Sequence, residues 1–418
     1  MHKPDVIIIG AGLSGLCCAL RLQETGLSIL LLEASDGVGG RVRTDQVDGF
    51  LLDRGFQVLL TAYPEAQLML DYGSLNLRYF APGALIRYDG HFYRFVDPLR
   101  RPKDALLTLL SPIGTIGDKM RIALLRRRTR QGTLPDLYQR REATTLHSLK
   151  KFGFSENIIN RFFRPFLSGV YFDRNLDVSS RMFEFGFRMF SAGGTALPAR
   201  GMGTIPGQLA SGIPGGSIRT GARVQSVEER SVRLEDGEVL KGRTVVIATE
   251  GPETARLLGE KEIPPSRGMT GLYFACEKPP IPEPLLVLNA EGSEPVNNLC
   301  VPSLVSPFYA PQGQHLVATT IIGTREEGDE DLEAQVKTQL NSWFGPDVEK
   351  WRLLRVYRIP HALPVQAPPV PDPTDPLVQV SPWLFTCGEY RNVASLQWAM
   401  VSGRRAAEAV IQSLEQPL

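Results

Sequence analysis

Residues 4–44 read PDVIIIGAGLSGLCCALRLQETGLSILLLEASDGVGGRVRT. Val6, Ile7, Ile8 and Ile9 form a short β-branched run that stops at Gly10, the pattern of a strand buried on both faces in a parallel sheet. Gly10, Gly12 and Gly15 then fall at GxGxxG spacing. The first glycine permits a tight turn. The second lets a pyrophosphate approach the backbone, and the third lets the next helix lie against the sheet. Leu13, Leu16, Ala19, Leu20 and Leu22 keep a helical period as far as Gly26, a C-terminal glycine. Ile29–Leu32 repeats the strand pattern and ends at Glu33, about 20 residues past the glycines, where a carboxylate can accept the hydroxyls of an adenosine ribose. Strand, glycine turn, helix, strand and acid together specify a dinucleotide-binding βαβ unit.

Working outward, Gly39-Gly40-Arg41 adds backbone N–H groups and a fixed cation near the phosphates. At the other end of the chain, residues 384–389 read LFTCGE, a strand stopping at Gly388-Glu389. Ser395 then stands as N-cap of a helix whose first residues, Leu396 and Gln397, have N–H groups free to face a carbonyl or anion. These two motifs resemble the opening fingerprint and closing motif of the FAD-dependent amine oxidase superfamily, which includes monoamine oxidases, protoporphyrinogen oxidases and phytoene desaturases. The resemblance implies an α/β fold: a Rossmann-like FAD-binding domain interleaved with an α+β substrate domain, the amine oxidase or p-hydroxybenzoate hydroxylase-like architecture.

It also implies a set of cofactor contacts. Gly10, Gly12, Leu13, Ser14, Gly15, Gly39, Gly40 and Arg41 belong to the phosphates, Glu33 and Ala34 to the ribose, and the Val224 backbone to the adenine. Ala248 and Thr249 end a strand, residues 244–249, that returns beside the pyrophosphate. Gly388 and Glu389 lie near the ribityl chain, and Ser395, Leu396 and Gln397 face the flavin. Gly55, Phe56 and Gln57 read either as lining the flavin and substrate space or as a buried turn. No cysteine stands where the family's covalent flavin link forms, so FAD is expected to be noncovalent. Where the family has Glu-Gly-Ala, this chain has Gln397-Trp398-Ala399, and Trp398 is expected to reshape the pocket.

A chain of 418 residues is long enough for two domains. The resemblance divides it into cofactor segments 1–72, 201–262 and 371–418 and substrate segments 73–200 and 263–370. Apolar residues make up 43% and charged residues 22%, ordinary for a globular protein. A net charge of +1 gives no reason to expect nucleic acid as a partner. Five cysteines without a CxxC, two of them adjacent at Cys17 and Cys18, suit a reducing compartment rather than a disulfide framework or zinc site. No run reaches the roughly 18 apolar residues that span a bilayer. The first strand starts at about residue 5, where a signal peptide would otherwise stand. The expectation is a cytoplasmic protein, or one peripheral on a membrane facing a reducing compartment.

Between residues 100 and 164 fifteen basic residues face five acidic ones, and leucines and isoleucines are interspersed through 105–125. This segment reads either as a membrane-surface element or as a helical cap with a buried apolar side and a solvated basic one. Residues 85–95 alternate about Asp89-Gly90 as a hairpin. Residues 161–180 resemble the oxidase and desaturase pattern in which a helix ends at Pro165, Gly169-Val170 makes a turn, and a serine leads the next helix. Residues 223–240 read as a β-meander, residues 356–364 as the last substrate-domain strand, and 364–376 as a proline-dense connector.

The resemblance implies an FAD-dependent oxidoreductase that takes hydride from a small apolar organic substrate, such as a polyene, a carotenoid or a porphyrinogen-like molecule. Two other readings stay open: a soluble amine or amino-acid oxidase, and FAD-dependent isomerisation without net redox. Catalytic residues are not assignable. Gln57, Tyr171, His361 and Trp398 are the pocket candidates, and Tyr171, Phe172, His361 and Arg358 read more readily as structural groups. The oligomeric state is open. A long apolar cavity favours the polyene reading, and a small one closed by two parallel rings favours the amine.

Overall fold

The computed structural model describes residues 3–98, 100–373 and 378–415. Part of the proline-dense connector, 374–377, lies outside them. The opening run becomes the strand Val6–Ile9, in which Val6, Ile7 and Ile8 are wholly buried. It is central to a six-stranded sheet. The strand order is Ile218–Arg219, Ile29–Leu32, Val6–Ile9, Thr244–Ile247, Leu384–Thr386 and Gln379–Ser381. The first five are parallel and the last is an antiparallel edge. Burial on both faces explains why these strands read as unbroken aliphatic runs. The meander at Val224–Glu228, Ser231–Leu234 and Val239–Lys241 forms its own three-stranded sheet against this one.

A second sheet has seven strands, in the order Arg352–Pro364, Ser266–Cys276, His315–Ile322, Asn298–Cys300, Leu286–Asn289, Gly83–Tyr88 and His91–Val96. It is antiparallel except where Leu286–Asn289 runs parallel to Gly83–Tyr88. The hairpin turn falls at Asp89 and Gly90, both at positive φ, the type I′ geometry that Asp-Gly favours. A second such turn, at Asp48 and Gly49, joins Thr44–Val47 to Phe50–Asp53. The two sheets, with helices against them, make the interleaved α/β architecture expected from the motifs.

Six helices build the site: α1 (Leu13–Gln23), α2 (Ala105–Leu110), α3 (Ile116–Arg130), α4 (Arg164–Tyr171), α5 (Ser180–Ala192) and α6 (Leu396–Glu415). The expectation around Pro165 needs correction. Pro165 sits in the first turn of α4 rather than ending a helix, and Gly169 and Val170 continue that helix. The wider π turn of Ile159–Phe163, in which the Arg164 N–H donates to the Ile159 carbonyl, runs straight into α4 and accommodates the proline without breaking the helix. Ser179 does cap the helix that follows, accepting from the Arg181 N–H at 3.2 Å.

The two ends of the chain meet where α1 packs on α6. The Ser14 hydroxyl donates to the Ala399 carbonyl at 2.8 Å. A side chain at Gly403 would place its Cβ 2.0 Å from the Ser14 carbonyl oxygen. The glycine is what lets the two backbones approach so closely.

Candidate active site

A cavity of about 1220 Å³ runs from the glycine turn to the helical region. Drug-sized ligands occupy pockets of roughly 300–1,000 Å³, so this volume can take a dinucleotide with space beyond it. Its wall includes Gly10, Gly12, Leu13, Ser14, Glu33, Ala34, Gly39, Gly40, Arg41, Val224, Ala248, Thr249, Gly388, Glu389, Ser395 and Leu396. Gly55, Phe56 and Gln57 line it too, which favours the site reading of that loop.

The residues present fit an adenine dinucleotide. Gly10, at φ +103°, and Gly15 pack on one another, since a Cβ on Gly15 would lie 1.9 Å from the Gly10 oxygen. Gly12 differs: a Cβ there would meet nothing within 4 Å, because it would project into the cavity. Helix α1 starts just after it with no side-chain cap, so its first N–H groups and its dipole face the space a pyrophosphate would fill. Glu33 is buried, with Oε2 accepting from the Ala11 N–H at 2.8 Å and Oε1 from the Ser35 N–H and hydroxyl, both at 2.8 Å. A carboxylate offers about four acceptor sites, so Oε2 retains capacity for a ribose hydroxyl.

At the closing motif Glu389 forms an ion pair with Arg41, whose guanidinium also donates to the Ala362 carbonyl at 2.8 Å. The Gly388 N–H donates to the Ser402 hydroxyl at 3.0 Å, tying the loop to α6. Ser395 caps α6 by accepting the Trp398 N–H at 3.2 Å. The five cysteines are buried and none of them lines the cavity.

Three expected positions lie off the cavity wall. Gly15 acts from behind, through packing. Gln397 is buried away from the cavity and accepts the Glu65 N–H at 2.8 Å. The expectation that Trp398 reshapes the pocket is corrected: its ring is buried off the wall, and Nε1 donates to the Tyr138 hydroxyl at 2.9 Å. Helical phase is the reason. Ser395 and Ala399, four residues apart, face the cavity, which turns 397 and 398 toward the core.

Among the catalytic candidates, Gln57 and Tyr171 reach the wall with their polar groups already engaged. Gln57 Nε2 donates to the Arg41 carbonyl at 2.8 Å, and the Tyr171 hydroxyl donates to the Met182 carbonyl at 2.9 Å. Burial raises the Tyr171 phenol well above its ordinary pKa and keeps it protonated. His361 lines the cavity, and its buried Nδ1 has no hydrogen-bond partner among the described residues. It stands beside Ala362, the residue Arg41 touches. Arg358 is structural, pairing with Asp329 at 2.6 Å.

Sequence reasoning missed three cations on the wall. Arg100, Lys119 and Arg126 sit in the basic segment, yet they line the cavity. The signal was present: Lys119, Ile122, Ala123 and Arg126 recur at one helical face of α3, and all four reach the wall. Around them lies an aromatic surface. Phe162 stacks on Phe166 with centroids 5.6 Å apart, and Phe166 meets Phe190 edge-on at 5.3 Å. Tyr63 and Phe185 lie nearly parallel at 6.0 Å. A carbon held between two rings needs about 7 Å, twice a van der Waals contact, so neither stacked pair can sandwich an amine.

The segment that joins these helices is unusual at its outer surface. Leu106, Leu107, Leu109 and Leu110 of α2 and Ile116, Met120 and Leu124 of α3 are between 45% and 73% exposed. The cap reading required this apolar side to be buried. It is buried at Ile113 and Leu125, turned to the cavity at Ile122, and open to solvent at the seven positions just named. No helix among the described residues is long and apolar enough to cross a membrane.

Comparison with known proteins gives one family. The model described as flavin-containing amine oxidoreductase matches residues 13–411. A coproporphyrinogen III oxidase of Mycobacterium bovis is 26% identical over 281 residues, covering 62% of this chain and 61% of that protein. The chain thus spans about three-fifths of the length of the curated relatives it first matches. A 15-cis-phytoene desaturase of Glycine max is 24% identical over 99% of this chain and 80% of its own length. Putrescine oxidase bound to putrescine superimposes with a TM-score of 0.70 at 17% identity, covering 98% of this chain and 99% of that one, a likeness of fold alone.

Proposed function

The chain belongs to the flavin-containing amine oxidoreductase family, and on that premise we propose that it is an FAD-dependent oxidoreductase oxidising a bulky apolar substrate, such as a polyene or a porphyrinogen-like molecule. One observation carries the substrate class: the cavity continues beyond the dinucleotide cradle into an aromatic chamber with three cations on its wall. A protonated amine gains nothing from such a wall, because like charges at close range repel. The names of the oxidase and desaturase relatives support the same class.

In this reading FAD is held without a covalent link and supplies the two-electron acceptor. The chain's own residues bind it and orient the donor. Glu33 takes the ribose, Gly12 and the open end of α1 take the pyrophosphate, and Arg41 with Glu389 holds the middle of the cofactor. Ser395 and the first turn of α6 present N–H donors toward the flavin ring. The phenylalanines of α4 and α5 exclude water from the reacting carbon and fix its distance. His361 is the imidazole on the wall, placed to hold or pass a proton at Nδ1.

Leu106, Leu107, Leu110 and Met120 with Arg127, Arg128 and Arg130 form an apolar face with a basic flank, which fits the surface of an anionic bilayer. An apolar substrate would then be drawn from lipid rather than from water.

The test is anaerobic mixing of the purified yellow holoprotein with a panel of polyenes, porphyrinogens and primary amines. The expected result is loss of flavin absorbance with a polyene or porphyrinogen. Bleaching by amines alone overturns the substrate class, and a protein that retains no flavin overturns the enzyme.

A further inference from the structure

The three wall cations are built into the protein, not scattered on its surface. Arg100 donates from Nη1 to the Gly193 carbonyl and from Nη2 to the Ser191 carbonyl, both at 2.9 Å. Arg126 donates to Asp97 at 2.8 Å and to the Ser191 carbonyl at 3.3 Å. Lys119 Nζ caps the end of α2, donating to the Leu109 and Ser111 carbonyls at 2.7 and 2.9 Å. Burial pulls the Lys119 pKa below its ordinary value. A guanidinium has five N–H donors and an ammonium three, so each group keeps donors beyond those contacts.

Charge cancels only in part here: Asp118 faces Lys119, but it is shared with Arg121. Asp97 is the acidic side chain that lines the cavity with these three cations, and it faces both Arg100 and Arg126. The neighbouring Arg94 and Arg101 are off the wall and are matched instead by Glu283 and Asp104. Most partners of the wall cations are neutral carbonyls, which hold a cation in position without neutralising it. Phe95, Phe162, Phe166 and Phe190 line the same part of the cavity. A pure hydrocarbon would leave the cations facing oil, an unfavourable arrangement.

We propose that the substrate is an acidic amphiphile: an apolar conjugated body with at least one carboxylate, which Arg100, Lys119 and Arg126 take at the helical end of the cavity. This rests on the substrate reading above and narrows it. Two anions share this chemistry, a carboxylate on the substrate and the headgroup of a membrane lipid, and the test separates them.

The holoprotein is titrated in vesicle-free buffer with retinoic acid and with methyl retinoate, which share a polyene body and differ in charge. Binding is read from the shift of the flavin absorption band. Charge-assisted hydrogen bonds predict that the acid binds about tenfold to a hundredfold more tightly than the ester. Lys119→Gln and Arg126→Gln should each shrink that gap. If Arg126→Gln fails to fold, Lys119→Gln and a salt titration of the unaltered protein carry the same readout. Equal binding of acid and ester overturns the carboxylate anchor while leaving an apolar substrate standing. Binding of neither probe overturns both. A preference for the acid seen only on phosphatidylglycerol vesicles also overturns the anchor, because the cations then serve the lipid headgroup.

Discussion

Gly403→Ala is the most direct way to ask whether the two ends of the chain form one site. In an isolated helix this change is favourable by about 1 kcal/mol. Here the added carbon would lie 2.0 Å from the Ser14 oxygen, 2.8 Å from the Ser14 carbonyl carbon and 3.0 Å from its Cα. All three are backbone atoms in the first turn of α1, so no rotamer change relieves the clash. The helices must separate by roughly 1 Å, and a gap of that size forfeits a quarter to a half of each dispersion contact along the interface. Overpacking of this kind costs about 1–3 kcal/mol. The bond from Ser14 to the Ala399 carbonyl, worth about 1 kcal/mol, is stretched as well. The net expectation is a loss of about 2 kcal/mol, seen as a lower urea midpoint. Because α1 carries the glycine turn, flavin should also leave the purified variant more readily. Gly207→Ala is the control. It lies in the helix Thr204–Ser211, where a Cβ meets nothing within 4 Å, so it should gain about 0.5–1 kcal/mol. A Gly403→Ala protein with an unchanged or raised midpoint and undiminished flavin would refute the reasoning.

Gly12→Ala should leave the apoprotein's unfolding midpoint within experimental scatter while weakening flavin binding at least tenfold, as the methyl enters open cavity; Gly15→Ala, aimed at the Gly10 oxygen, should instead fail to fold. Asp53 gives a pH signature. Burial pushes its carboxyl up to about 6 against an ordinary 3.8, opposed by bonds from Thr44, Tyr309 and the Met202 N–H. The folded state therefore holds a proton that the unfolded chain releases, so this contribution is complete below pH 3.8 and lost as pH rises through 6. Asp53→Asn should gain on the parent protein by about 2 kcal/mol between pH 4 and pH 7, measured by urea titration, and parallel pH profiles would contradict this. Replacing Leu107 and Leu110 with Glu should abolish sedimentation with anionic vesicles without altering the urea midpoint; retained binding would remove the lipid-facing role of α2.

Local periodicity was enough to read the first βαβ unit, the Asp89-Gly90 hairpin and the returning strands, because each follows from short-range spacing, whereas the Asp48-Gly49 turn was found only in the structure. What eluded the sequence depends on contacts far along the chain. Gly403 looks like an ordinary helix glycine until Ser14 is seen beside it. Trp398 was misread because its motif position suggests the flavin while its helical phase points to Tyr138. Asp53 drew no notice within the hairpin, since its burial is completed by Tyr273 and Tyr309 from the other half of the chain. The wall cations were counted as part of a basic segment, although reading α3 face by face separates Lys119 and Arg126 from their solvated neighbours.

The bond between Ser14 and Ala399 joins residues 385 positions apart. Ribosomes add about 5–20 residues each second, so the nucleotide turn emerges roughly 20–80 seconds before the helix that seats it. Val6–Ile9 gains its neighbour Ile29–Leu32 early, whereas its other parallel neighbour, Thr244–Ile247, is still unmade for much of that interval. A cofactor seat that needs both helices is therefore complete only once α6 has emerged, and a chain cut before α6 would hold the nucleotide turn without the helix that packs on it.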